Sequence, residues 1–205
     1  MRAIQRALRS VAVAVVVFTS VTIWSTDQVE PQAVDPIAQG RKALDAEKVD
    51  EAIAIFEKAV SADPKNPAAL AWLGSAQVRK AKEAPIFEKP GWIKKGFTTL
   101  DEAVELFPDA YIVYMVRGIT GTQVPDMFRK APVAVKDLGT VVAMREKKPE
   151  AVPDSVMPGV YLHLGIAYKK NGQIAEARAA WEKGKKAYPS SPEAKTMEKE
   201  LGASR

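Results

Sequence analysis

Residues 161–189 read YLHLGIAYKKNGQIAEARAAWEKGKKAYP and hold one full helix–turn–helix cycle. Tyr161, Leu164, Gly165 and Tyr168 are spaced three and four apart, so they share one face of a helix. Gly172 interrupts that helix, and Ala177, Trp181 and Gly184 lie on a second one. Pro189 closes the pair, because proline cannot continue a helix. The small residues let two helix backbones approach closely, and the tryptophan fills the space between units.

The same cycle recurs upstream. Gly40 is followed by Ala52, Phe56 and Ala59, and Pro64 ends that unit. Pro67, a favourable first helical residue, opens a second unit with Leu73-Gly74, and Gly40 and Gly74 are 34 residues apart. Its second helix carries Gly96, Leu100 and Ala103. The step from Gly74 to Gly96 is 22 residues, against 12 from Gly40 to Ala52, so ten residues are inserted within about Ala81–Trp92. The third unit diverges further. Its first helix runs over about Asp109–Gly121, with Tyr111, Tyr114 and Gly118, and Arg117 stands where the cycle has leucine. A loop at Gln123–Phe128 precedes a second helix with Ala134, Leu138 and Val142.

This pattern, W-x2-L-G-x2-Y…A-x3-F…P, resembles the tetratricopeptide repeat (TPR) family, and the resemblance covers about residues 35–201. It implies an all-α fold: a right-handed α-solenoid of about four helix pairs with a C-terminal capping helix. The repeats fall at about 35–66, 67–110, 111–154 and 158–191, with the cap at 192–201, inside a domain of 35–203. The resemblance further implies a binding scaffold whose first helices line a concave face. Mapped onto this sequence, that face offers Arg41, Trp72, Ser75, Arg79, Met115, Ile119, His163, Ile166 and Lys170. Its mixed apolar and basic character fits a peptide or partner helix with some acidic residues. The carboxylate clamp of chaperone-binding relatives is not supported, because the only asparagines, Asn66 and Asn171, fall at unit junctions or turns.

Catalytic chemistry finds little material. His163 is the single histidine and there is no cysteine, so a zinc site lacks its usual ligands. No serine sits in a G-x-S-x-G turn, and Gly118-Ile119-Thr120-Gly121 lacks the lysine and hydroxyl of a phosphate loop. We therefore expect no enzyme, no metal and no cofactor. Arg117 is the residue to explain, because an unpaired guanidinium in a core-like place is costly. The expected partners are Asp137, on the facing helix, or Asp126, in the loop. The other reading of Arg117, an anionic-ligand contact, stays open, as does a small-ligand or enzymatic role for Arg117 or His163.

The formal net charge is +5, from 30 basic and 25 acidic residues. Arg2, Arg6 and Arg9 supply three of those charges, leaving 27 basic against 25 acidic residues in the rest. That balance gives no electrostatic footprint for nucleic acid. The three arginines precede an apolar run, Val11–Trp24, which is the form of a secretory signal. Residues 1–25 are thus expected to be a signal peptide or an uncleaved signal anchor, and 26–34 a linker. Either form would place the repeats outside the cytoplasm, periplasmic or anchored at the inner membrane. The partner class expected is a protein or peptide. A self-associating structural protein of the envelope, possible for stacked repeats, is the alternative.

Overall fold

The computed structural model describes residues 35–203, and the expected leader and linker lie outside the described residues. The described residues hold nine α-helices and no strand: α1 (Pro36–Asp45), α2 (Val49–Ala62), α3 (Pro67–Lys80), α4 (Lys89–Leu106), α5 (Tyr111–Gln123), α6 (Ala131–Lys147), α7 (Met157–Lys170), α8 (Ile174–Ala187) and α9 (Pro192–Ala203). None of these helices is long and apolar enough to cross a membrane.

Local chemistry sets the helix starts. The Asp35 carboxylate accepts the Ile37 N–H at 2.9 Å ahead of Pro36. The Asn66 side chain accepts from both Ala68 and Ala69 N–H groups ahead of Pro67. Each cap satisfies backbone donors that a first turn leaves free, and proline at the first position sacrifices no bond. Pro90 behaves the same way. It opens α4 instead of breaking the chain, so Pro90, Gly91 and Trp92 belong to a helix. The irregular part of the first insert is therefore shorter than the sequence suggests.

The helices stack in antiparallel pairs, α1/α2, α3/α4, α5/α6 and α7/α8, with α9 packed on α7 and α8 as a cap. The first helices also pack on one another along the array, α1 on α3, α3 on α5, α5 on α7 and α7 on α9. Each second helix packs on its own partner and on the first helix of the next unit. The closely packed layer of first helices is the inner one, which gives a TPR-like solenoid with a concave side.

Two close approaches fix the pairing. A Cβ built on Gly96 would lie 2.5 Å from the Gly74 carbonyl oxygen and 2.7 Å from the Val78 nitrogen. Only glycine lets α3 and α4 meet backbone to backbone there. A Cβ on Gly165 would overlap the indole of Trp181, whose ring is fully buried between α7 and α8. The Trp181 Nε1–H donates to the Leu162 carbonyl at 3.0 Å, so its one polar group is satisfied.

The core is nearly continuous. One cluster runs from Leu70 through Leu100, Leu138 and Trp181 to Met197. A second holds unit one, with Leu44, Phe56 and Leu73. Trp72 and Val60 pack against both. No single pair could bury its apolar face alone, and stacking supplies the missing half.

Candidate functional site: the concave face

The first helices bring Arg41, Trp72 and Arg79 to neighbouring positions. The Arg41 guanidinium lies 5.1 Å from the Trp72 ring centroid, within cation–π range. On its other contact the Trp72 ring stacks with Phe56, centroids 6.5 Å apart and planes 18° apart. Arg41 is exposed, and Trp72 and Arg79 are half-buried. Tyr111, at the start of α5, joins this group. Burial pushes its phenol above the usual range, and the positive charge of Arg41 opposes the shift. Tyr111, which opens the first helix of unit three, is not among the residues that the repeat register assigns to this face.

Arg79 is unusual. Its Nη1 reaches the Leu44 carbonyl only at 3.5 Å, and its Nε is buried without a hydrogen-bond partner. An unsatisfied buried donor on a cation is costly, by about 1–3 kcal/mol or more. Trp72, Arg79 and Ile119 share a small hollow of about 40 Å³. Such a hollow seats little beyond a water or the tip of a side chain.

Two of the expected contact residues are buried, and a third, half-buried, is tied to a neighbour. Ser75 is buried and accepts a hydrogen bond from the Thr120 hydroxyl at 3.0 Å. Met115 is part of the core. Both are sealed because α3 and α5 pack directly against each other. His163 is tied to Thr122, Nδ1 to Oγ1, at 2.8 Å. The Thr122 hydroxyl gives its single hydrogen to the Ile119 carbonyl at 2.7 Å, so the His163 Nδ1–H is the donor in that pair. Lys170 points its charge sideways, donating to the Val124 carbonyl at 2.9 Å and pairing with Asp126 at 3.0 Å. Ile166 is half-buried and packs against the core.

Burial lowers the His163 pKa from its ordinary 6.5 to about 4, with Glu193 opposing weakly. The folded ring therefore stays neutral where an unfolded one would take a proton. Its contribution to stability is complete above about pH 6.5 and is lost as pH falls towards 4, because the unfolded chain then binds the extra proton. The shift corresponds to about 3 kcal/mol. Urea titrations at pH 7 and pH 4.5 should show a loss of stability that His163→Gln largely removes. Equal losses in parent and variant would contradict this assignment.

Arg117 sits on α5 between two second helices. Its Nε and Nη2 donate to the two Asp137 oxygens at 2.7 and 2.8 Å, a bidentate pair. Its Nη1 donates to Asp101 Oδ1 at 2.9 Å. The Asp137 side chain is fully buried and that of Arg117 is 13% exposed. Burial pushes the Asp137 carboxyl above the usual carboxylate range, and Arg117 draws it back down. Asp126, the other expected partner, is not near this pair and instead meets Lys170. The loop after α5 turns towards α7, whereas Arg117 faces α4 and α6. Asp101 was missed because it lies on the second helix of the preceding unit, a neighbour that only the stacking of units supplies.

Among the described residues no group of three or more acidic or histidine side chains could hold a metal ion.

Comparison with known proteins agrees with this architecture. Two family models described as tetratricopeptide repeat match residues 43–82 and 160–191. No curated protein matches the sequence significantly. Among solved structures, the thermophilic TPR protein TTC0263 of Thermus thermophilus is similar with a TM-score of 0.67 and 18% identity, covering 85% of this chain and 82% of its own. A putative kinesin light chain with nearly identical TPR-like repeats, from Podospora anserina, gives 0.54 and 18%, covering 82% and 83%. MamA gives 0.51 and 21%, covering 82% and 78%. At these identities the likeness is one of fold.

Proposed function

We propose for this tetratricopeptide repeat protein a non-catalytic role, as a scaffold that holds a protein or peptide partner on its concave face. Repeats of this family are generally non-catalytic interaction modules, which supports the reading. The observation that supports this particular face is the Arg41–Trp72 stack beside the unsatisfied Arg79. Aromatic and arginine side chains carry a disproportionate share of interface energy. The half-buried Trp72 and Ile119 supply apolar area, and the cations favour an acidic partner. Arg117, by contrast, has its charge matched inside the fold, and His163 is neutral and hydrogen-bonded. Both features weigh against a small-ligand or enzymatic role for them.

We further propose export, with the repeats facing away from the cytoplasm. Arg2, Arg6 and Arg9 followed by the Val11–Trp24 run support it. A reporter fused after Arg205 should be active only outside the cytoplasm, and activity inside would sink the proposal.

The binding face is tested with the partner recovered by affinity capture on the full chain. Arg41→Glu and Trp72→Ala should each weaken its binding by at least about 1–2 kcal/mol with helix content unchanged. Normal binding by both variants would remove the concave face as the site. A concentration-independent sedimentation profile would argue against the self-associating alternative.

A further inference from the structure

The two inserts, which are far apart in sequence, meet at one edge of the solenoid and enclose a cavity of about 460 Å³. One wall comes from α3 and the segment after it, with Val78 and Ile86, and from Ile93 on α4. The other comes from the loop between α5 and α6, with Val124 and Met127. The size falls within the range of about 300–1,000 Å³ typical of ligand pockets. The apolar surface does not stop at the mouth. Ile86 is 79% exposed and Met127 81%, and Phe87, next along the chain, is 78% exposed. Exposed large apolar side chains scattered singly need no explanation, but a cluster around a cavity marks a binding surface. Met127 adds an adaptable contact suited to varied apolar partners.

The charges at this cavity are of one sign. Arg79, Lys82 and Lys89 line it and no acidic residue does. The Arg79 Nε lacks a partner, and the Lys89 Nζ has only a long 3.4 Å bond to the Lys82 carbonyl. Two nearby acids are engaged elsewhere, Glu83 with Lys80 at 3.3 Å and Asp126 with Lys170 at 3.0 Å, while Asp45 and Glu47 share the adjoining hollow with Arg79 and Lys82.

We infer that this cavity is a second docking site, for a protein segment that inserts apolar side chains and sets an Asp or Glu beside them against Lys82 and Lys89. A protein segment fits better than a small amphiphile. A ligand filling only the cavity would leave Phe87 and the outward parts of Ile86 and Met127 in water, whereas a helix or extended segment laid across the edge covers them. The site is formed mainly by the inserts and shares Arg79 and Gln123 with the hollow on the concave face.

The test is selection of a displayed library of random peptides, about twelve residues long, on the full chain. The expected winners carry two large apolar residues within a turn of an Asp or Glu. A synthetic copy of the best one, labelled for fluorescence anisotropy, should bind at least about tenfold more weakly to Met127→Glu and to Lys82→Glu. Both positions are exposed, and circular dichroism would check that the variants stay folded. Trp72→Ala on the concave face should leave that affinity unchanged, which separates this site from the one proposed above. Winners without acidic residues would overturn the inference. So would loss of binding in Trp72→Ala with normal binding in Met127→Glu. Failure of selection, with sodium decanoate instead shifting the Met127 methyl resonance, would assign the cavity to an acyl ligand and also overturn it.

Discussion

Asp137→Ala is expected to lower the unfolding free energy by about 3–5 kcal/mol. The variant leaves Arg117, only 13% exposed, without the carboxylate that takes two of its N–H groups. Asp101 remains, but it is half-exposed and accepts from a single nitrogen, so it cannot take over the buried charge. The favourable energy of the pair is a separate matter, since apolar replacement of both partners is often near neutral. The double variant Arg117→Leu/Asp137→Ala, which restores the leucine of the repeat pattern, should therefore be less destabilised than the sum of the singles. Urea unfolding of the four proteins checks both statements. A loss under about 1 kcal/mol for Asp137→Ala, or simple additivity, would show that the guanidinium finds solvent.

Trp181→Ala should cost about 3–5 kcal/mol as well. The ring is fully buried, lies against the bare Cα of Gly165, and forms part of the core shared by α7, α8 and α9. Its removal leaves a cavity bordered by a glycine, which has no side chain to move in, and orphans the Leu162 carbonyl that accepts from it. The cost adds transfer and cavity contributions. Thermal unfolding should show the loss as a lower midpoint with cooperativity retained. A change under about 1 kcal/mol would refute the packing described for the fourth pair.

The fold was legible because each repeat states its packing locally. Glycine, alanine and an aromatic at fixed helical spacing demand a close helix pair, and a 34-residue period demands stacking. The family models match residues 43–82, which join most of unit one to the first helix of unit two, and 160–191, which lie in unit four. In the second unit Pro90–Trp92 read as loop from their proline and glycine, whereas they form the first turn of α4. The site was harder to foresee, because its chemistry depends on which first helices touch. Ser75 and Met115 lie on the expected face by register, yet direct packing of α3 on α5 removes them from it. His163 is neutral through burial, which no single position in a sequence announces. Asp101 and the meeting of the two inserts arise between units, at separations that helical periodicity does not encode.

Site-specific photo-crosslinking in cells tests whether a protein partner lies on the layer of first helices. A benzophenone side chain is placed at Ala38, an exposed position of α1 one turn from Arg41, or at Lys58, an exposed position on the second helix of the same unit. A discrete adduct is expected from position 38, diminished by Trp72→Ala, and none from position 58. A discrete adduct from position 58 with none from position 38 would place the partner on the other side of the solenoid.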